Sequence, residues 1–300
     1  GHPVNAKYRS CSPSPSARQE EGKPTVYSKF WGQDSPTTPC APYNIDCLNP
    51  LLVEEETIPR VIVVEGEKDT LVLGTSADYP PFEYHMMVDG QDTIVGFDIE
   101  LAQLIADELG VELDITDMGF DALLISLQQG KFDLVAAGVT YKPERYGLFS
   151  DPYYVEGQAV LVRTEDLETY TTADSLSGCT VGAQKGTVQA ELAANMAENV
   201  NCLELVKFPD LVTELKQGKI EAIVVDYVVA EDYLSANNDL AISDIELEDG
   251  LVNKCVVVQE GNEDLINVIN PIIAKGLEDG SFDTMMQQAK DNAQYETKAE

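Results

Sequence analysis

Three hundred residues with 53 acidic against 19 basic side chains carry a formal charge of −34, and the chain is long enough for one large domain or two lobes with cores of their own. So negative a surface repels phosphate backbones and anionic lipid, which excludes nucleic acid as a partner, and no run of eighteen apolar residues is present to span a bilayer. Six cysteines fit an oxidising compartment, but there is no Cys-x-x-Cys pair or Cys/His cluster, and with only His2 and His85 no metal and no cofactor is expected.

Residues 1–66 differ from the rest. Cys11-Ser-Pro-Ser-Pro-Ser16 and Gln33-Asp-Ser-Pro-Thr-Thr-Pro39 are extended, proline-punctuated and linker-like. Cys40 and Cys47 are candidates for a bridge, and Arg60-Val-Ile-Val-Val64 has the pattern of an extra strand. A wall-spanning tether, a small disulfide-linked cap and sequence added by cloning all stay open for this extension. No signal peptide is visible, and Gly1-His2 reads as a processed or engineered start.

From Leu71 strands and helices alternate. Leu71–Gly74 reads as a strand; Asp98 is placed to cap a helix with an apolar face of Leu101, Leu104, Ile105 and Leu109, ending at Gly110. Val111, Leu113 and Ile115 alternate as a strand, Asp121–Leu127 is a helix ending near Gly130, and Phe132–Ala137 is a buried strand. The second half repeats this order: strand Thr180–Ala183, helix Val188–Glu198, strand Leu203–Phe208, helix Asp210–Gln217, strand Ile220–Val225. The echo is partly literal, because Leu127-Gln-Gln-Gly-Lys-Phe-Asp133 returns as Leu215-Lys-Gln-Gly-Lys-Ile-Glu221. Two similar α/β lobes with mainly parallel sheets follow from this pattern. Lobe one is expected from 67–155 and 251–300, lobe two from 156–250, with crossings near Tyr154–Gly157 and Glu248–Leu251. If the strands after Cys179 and Cys202 are parallel neighbours, those two cysteines lie at the same end and can bridge.

Ligands of open parallel sheets bind beyond the carboxyl ends of the strands. Gly74-Thr-Ser76, Gly138-Val-Thr140, Gln184–Thr187 and Asp226 all fall there, so two facing lobes would gather them in a cleft. Gly138-Val-Thr-Tyr-Lys-Pro-Glu-Arg145 joins strand-end N–H groups, a hydroxyl and one guanidinium, which together suit a carboxylate. Asp226 ends the apolar run Ala222–Val225, where a carboxylate is costly to desolvate unless a cation meets it; capping the helix from Val228 is its alternative role. Ser76 and Gln184 can hydrogen-bond a polar side chain, and Lys185 is a second cleft cation if it turns inward. Glu83, Asp98, Asp133 and Glu221 read as structural, so no catalytic residue is assigned.

Gly74-Thr-Ser-Ala-Asp-Tyr-Pro-Pro-Phe-Glu83, Ile94-Val-Gly-Phe-Asp98, the Gly138–Arg145 stretch, Phe149-Ser-Asp-Pro-Tyr-Tyr154, Gln184-Lys-Gly-Thr187 and Val224-Val-Asp226 stand in one order and spacing. Over Thr70 to Ala289 the chain thereby resembles the polar amino-acid-binding proteins of ABC importers, extracellular solute-binding proteins with a two-lobed, type II periplasmic-binding-protein-like fold and a two-segment hinge. The resemblance implies that Arg145 and Thr187 take a ligand's α-carboxylate, Asp226 its α-ammonium, and that Tyr79 and Phe120 pack on its side chain. Phe82 and Tyr84 are read as core. Relatives with basic ligands often carry an aspartate where this chain has Ser76, which favours a neutral polar amino acid; glutamate stays open. Between Arg145 and Phe149 the chain is about two residues shorter than the family, which puts that turn in doubt. The implied partners are a free amino acid and a membrane permease, with the protein a monomer outside the cytoplasm, periplasmic or tethered as a lipoprotein. An enzyme on the same fold, of the prephenate or arogenate dehydratase type, is the alternative.

Overall fold

The computed structural model describes residues 70–247 and 251–293. The expectations for residues 1–66 and for 248–250 lie outside them, including the Cys40–Cys47 bridge. The chain divides into Gly1–Glu56 and Thr57–Glu300, and every described residue belongs to the second unit.

The first stretch runs β1 (Thr70–Thr75), β2 (Asp78–Tyr79), β3 (Glu83–Val88), β4 (Gln91–Val95), α1 (Phe97–Leu109), β5 (Glu112–Asp117), α2 (Phe120–Gln128), β6 (Leu134–Val135) and β7 (Leu148–Phe149). The long strand β8 (Tyr154–Arg163) leads on to β9 (Thr180–Gln184), α3 (Val188–Asn195), β10 (Asn201–Leu205), α4 (Phe208–Lys216), β11 (Ala222–Asp226), α5 (Tyr227–Ala236) and β12 (Leu240–Ile242). The return is made by β13 (Leu251–Lys254) and β14 (Val257–Val258), followed by helices α6 (Glu263–Asp279) and α7 (Ser281–Ala293).

Two large sheets result, ordered β5-β1-β6-β14-β7 and β10-β9-β11-β8-β12, beside a small antiparallel sheet β2-β3-β4. The crossover strands predicted from sequence are parallel in each, β5, β1 and β6 in the first and β10, β9 and β11 in the second. The strands that arrive from the other lobe, β14 and β8, pair antiparallel. Between the sheets β13 lies antiparallel on β8, with Lys254 opposite Tyr154 and Leu251 opposite Gly157, so two paired segments join the lobes.

Period-two alternation explains the layers. In the first sheet Leu134, Ala136, Val256 and Val258 face α1 and α6, where Leu101, Ile105 and Ile269 wait. Val135, Ala137 and Val257 face the opposite layer with Leu123 and Leu127. The second sheet divides likewise, Leu161, Ile223 and Val225 against Phe208, Leu211 and Leu215, Val160, Val181 and Val224 against Ala190 and Ala193. Each such large side chain contributes about 1.5–3 kcal/mol by leaving water.

The repeated heptapeptide builds one corner twice. Gly130 and Gly218 adopt φ of 74° and 69°, a left-handed stop that glycine takes without steric cost. Asp133 Oδ2 then accepts Val72 N–H at 2.8 Å, as Glu221 Oε2 accepts Thr180 N–H at 2.8 Å.

Several expectations are corrected. Leu104 is exposed, and the buried stripe of α1 is Leu101, Ala102, Ile105 and Ala106. Asp98 does not cap α1; Gly96 stands at that position and Asp98 turns inward. Cys179 and Cys202 are both free thiols. They do lie at the same end of parallel neighbours, but the register sets Cys202 beside Val181, two residues past Cys179, and its Sγ reaches Ala190 O at 3.6 Å. The hairpin β3–β4, turning at Asp89-Gly90, went unread although Asp-Gly is a strong hairpin signal.

Candidate functional site

A narrow crevice lies where the strand ends of the two large sheets meet. Ser76, Tyr79, Phe120, Gly138, Thr140, Arg145, Gln184, Thr187 and Asp226 all line it, joined by Glu83, Ala137, Val188 and Gln189. It is thus built from β1, the loops after β6 and β9, and the last residue of β11, the placement expected of ligand sites in such sheets.

Arg145 is half-buried, its guanidinium 5.9 Å over the Phe120 ring. It donates to Thr140 O at 2.7 Å and across the cleft to Gly186 O at 2.9 Å. Burial pulls its pKa below the usual guanidinium value, while Glu191 and Glu144 support its charge only from a distance. Among the described residues no carboxylate makes an ion pair with this guanidinium, and its hydrogen bonds go to carbonyls. The Gly138 N–H, expected to help hold an anion, is taken by Asp98 Oδ2 at 2.7 Å. Gly138 has a φ of 54°, and Asp98, also bonded by the Tyr153 hydroxyl at 2.8 Å, fixes that loop from behind.

Asp226 faces the crevice from the other side and is 1 % exposed. Its carboxylate accepts four hydrogen bonds, from Tyr79 Oη at 2.9 Å, Gln158 Nε2 at 2.6 Å, Gln189 Nε2 at 2.9 Å and Lys254 Nζ at 2.5 Å. It stands at the N-cap of α5 but makes no cap hydrogen bond with its side chain. Glu156 Oε2 takes the Val228 N–H instead, at 2.9 Å, which leaves Asp226 free to face the cleft. Burial, and then the Asp226 charge, push Glu156 up to about 8.

On the floor, Ser76 Oγ donates to Asp78 Oδ1 at 3.2 Å and Gln184 Nε2 reaches the same carboxylate at 3.3 Å. The Phe208 N–H adds a third bond at 3.0 Å. Burial raises Asp78 to about 6 against these bonds. Glu83, buried beside Asp98, is pushed well above the carboxylate range, first by burial and then by its neighbour's charge, and burial raises Asp98 as well. Thr187 spends its hydroxyl on α3, accepting from Ala190 N–H at 3.3 Å and donating to Gln184 O at 2.6 Å. Lys185 does not turn inward; it pairs with Asp121 at 3.0 Å on the surface. Phe82 and Tyr84 are fully buried, as read.

Sequence reading missed Asp78, Gln189, Gln158 and Lys254. Lys254 carried a usable signal, a lone charge inside the apolar run Leu251–Val258, since a lysine is almost never buried unpaired.

Comparison with known proteins agrees with this architecture. At 38 % identity the chain matches the arginine-binding extracellular protein ArtP of Bacillus subtilis over 59 % of its own length and 68 % of that protein. The L-cystine-binding protein TcyJ of Escherichia coli K12 is 33 % identical over 74 % of this chain and 83 % of its own. Among solved structures, the amino acid ABC transporter substrate-binding protein AbpA of Streptococcus pneumoniae, bound to L-arginine, superposes with a TM-score of 0.74 at 37 % identity, covering 76 % of this chain and 97 % of that one. The family model for bacterial extracellular solute-binding proteins, family 3, matches residues 71–290. By that match, by its two-lobed type II fold and by its interlobe crevice, this chain belongs to the bacterial extracellular solute-binding proteins, family 3.

Proposed function

We propose that this solute-binding protein of the amino-acid ABC transporter class closes its lobes on one free amino acid, carboxylate toward Arg145 and ammonium toward Asp226. As a monomer outside the cytoplasm it then hands the amino acid to a membrane permease. The supporting observation is the convergence of a guanidinium from one lobe and a carboxylate from the other on a single crevice. Contacts drawn from both lobes let a bound solute favour the closed state. No helix among the described residues is long and apolar enough to cross a membrane.

The floor of the crevice favours a side chain that hydrogen-bonds Ser76 and Gln184, and a neutral polar amino acid such as glutamine fits it first. A cationic side chain is the second reading, because Asp78 brings a carboxylate onto the Ser76 hydroxyl at 3.2 Å and so restores an acid beside the position where the sequence lacks one.

Thermal melting of refolded, solute-free protein with each of the twenty amino acids tests both readings. At a hundredfold excess over Kd the right solute raises Tm by about 5–10 °C. A shift with L-glutamine supports the first reading and a shift with L-arginine the second. No shift with any of the twenty sinks the proposal.

A further inference from the structure

Lys254 is 1 % exposed, on the strand that joins the lobes, opposite Tyr154 in register. Its Nζ lies 2.5 Å from Asp226 Oδ2, 3.4 Å from Thr140 Oγ1 and 5.9 Å from the centre of the Phe82 ring. Both partners of the ion pair are 1 % exposed. A carboxylate offers about four lone-pair sites, and on Asp226 two go to neutral donors lining the crevice (Tyr79 and Gln189), one to Gln158 and one to this ammonium. Glu156, the other acid nearby, turns Oε2 to the Val228 N–H, and the ion pair of Lys254 is made with Asp226. The charge that a buried Asp226 needs is supplied by the chain itself.

We propose that Lys254 is a specificity-determining residue that stands in for the solute's ammonium at Asp226. The site then reads its solute chiefly through the carboxylate at Arg145 and demands an α-amino group only weakly. This rests on the reading that Arg145 and Asp226 face the two ends of the solute. An arriving ammonium displaces the neutral donors Tyr79 or Gln189 and shares a carboxylate whose charge is already answered. A des-amino acid leaves Asp226 satisfied as it is, without a buried charge stranded.

Titration calorimetry with two matched pairs decides this: L-glutamine with glutaramic acid, and L-arginine with 5-guanidinopentanoic acid. For the pair that binds, wild type is expected to prefer the amino acid by less than about tenfold, and Lys254→Met to raise that ratio at least about tenfold, since a close charge pair is then made only by the solute. Asp226→Asn leaves Lys254 uncompensated and is expected to invert the order, the des-amino acid binding at least as tightly. This second variant decides the matter if Lys254→Met does not fold. A ratio above about a hundredfold in wild type, unchanged by Lys254→Met, overturns the proposal, as does an unaltered order in Asp226→Asn. If an amino acid binds and the ratios fail, only the role of Lys254 falls; if neither pair binds wild type, the same ratio is measured for whichever of the twenty amino acids raises Tm and its des-amino analogue, and if none of the twenty does, that role and the amino-acid reading fall together.

Discussion

The two jaws of the crevice hold opposite charges in opposite states. Arg145, on the first lobe, spends its hydrogen bonds on two carbonyls, Thr140 O and Gly186 O, and its positive charge is left for an outside anion. Asp226, on the second, is saturated by four donors, one of them the ammonium of Lys254. One jaw waits for a partner and the other already has one. A polar site can thus be symmetric in its residue types and unequal in what each contributes, because net binding energy comes from charges that gain a partner and not from charges that exchange one.

Breaking the waiting jaw has the largest effect. Arg145→Ala is expected to weaken amino-acid binding by about 2–4 kcal/mol, or roughly 30- to 1000-fold, the usual cost of removing one member of a desolvated charge pair. Calorimetry checks it, and a loss of only a few-fold would remove Arg145 from the carboxylate role. Asp226→Asn sharpens the contrast, with an expected loss of about tenfold for the amino acid because its charge is shared with Lys254; a loss equal to that of Arg145→Ala would erase the difference between the jaws.

A third test uses pH on the floor between them. Burial raises Asp78 from 3.8 to about 6, so the folded protein keeps a proton that the unfolded chain has released between those values. Stability from this group is therefore greatest below pH 4 and is lost as pH rises through 6, a gain of about 1.5 kcal/mol on going from pH 7 to pH 5. Melting temperature measured across that range should climb on acidification, with a smaller climb in Asp78→Asn. Equal slopes in the two proteins would show that Asp78 is not the group responsible.

The smallest effect compares the lobes where they are alike. An added Cβ finds open space at Gly218 and only Gln259 Nε2, at 3.5 Å, at Gly130. Gly130→Ala and Gly218→Ala should each cost about 1 kcal/mol from the left-handed backbone alone, seen as equal drops in Tm. Unequal drops would mean that the two corners are not energetic copies of one another.

Much of this was readable along the chain. The Leu127–Asp133 and Leu215–Glu221 echo announced two corners, because a helix stop, a left-handed glycine and a buried strand are all local events. Ser76, Gly138, Thr140, Arg145, Gln184, Thr187 and Asp226 were found because they follow apolar runs, and strand ends of parallel sheets converge; Tyr79 and Phe120 came only from the family resemblance. Asp98 was misread because a helix-start acid caps more often than it turns inward; its bonds go to Gly138 and Tyr153, 40 and 55 residues away. The Cys179–Cys202 pair failed on register, which shared ends of neighbouring strands do not fix. Lys254 was passed over as one polar residue in a strand, since nothing near it in sequence says which acid it meets.

The sequence by itself determined the alternation of strands and helices, the repeated corner, the excess of acid and the residues that crown each strand. Only the tertiary structure decided which buried charge answers which: Lys254 with Asp226 across 28 residues, Glu156 with Val228 N–H across 72, Asp78 with Phe208 N–H across 130. The physical reason is that periodicity and capping act within a few residues, whereas a buried charge must find its partner in space, wherever along the chain that partner is made.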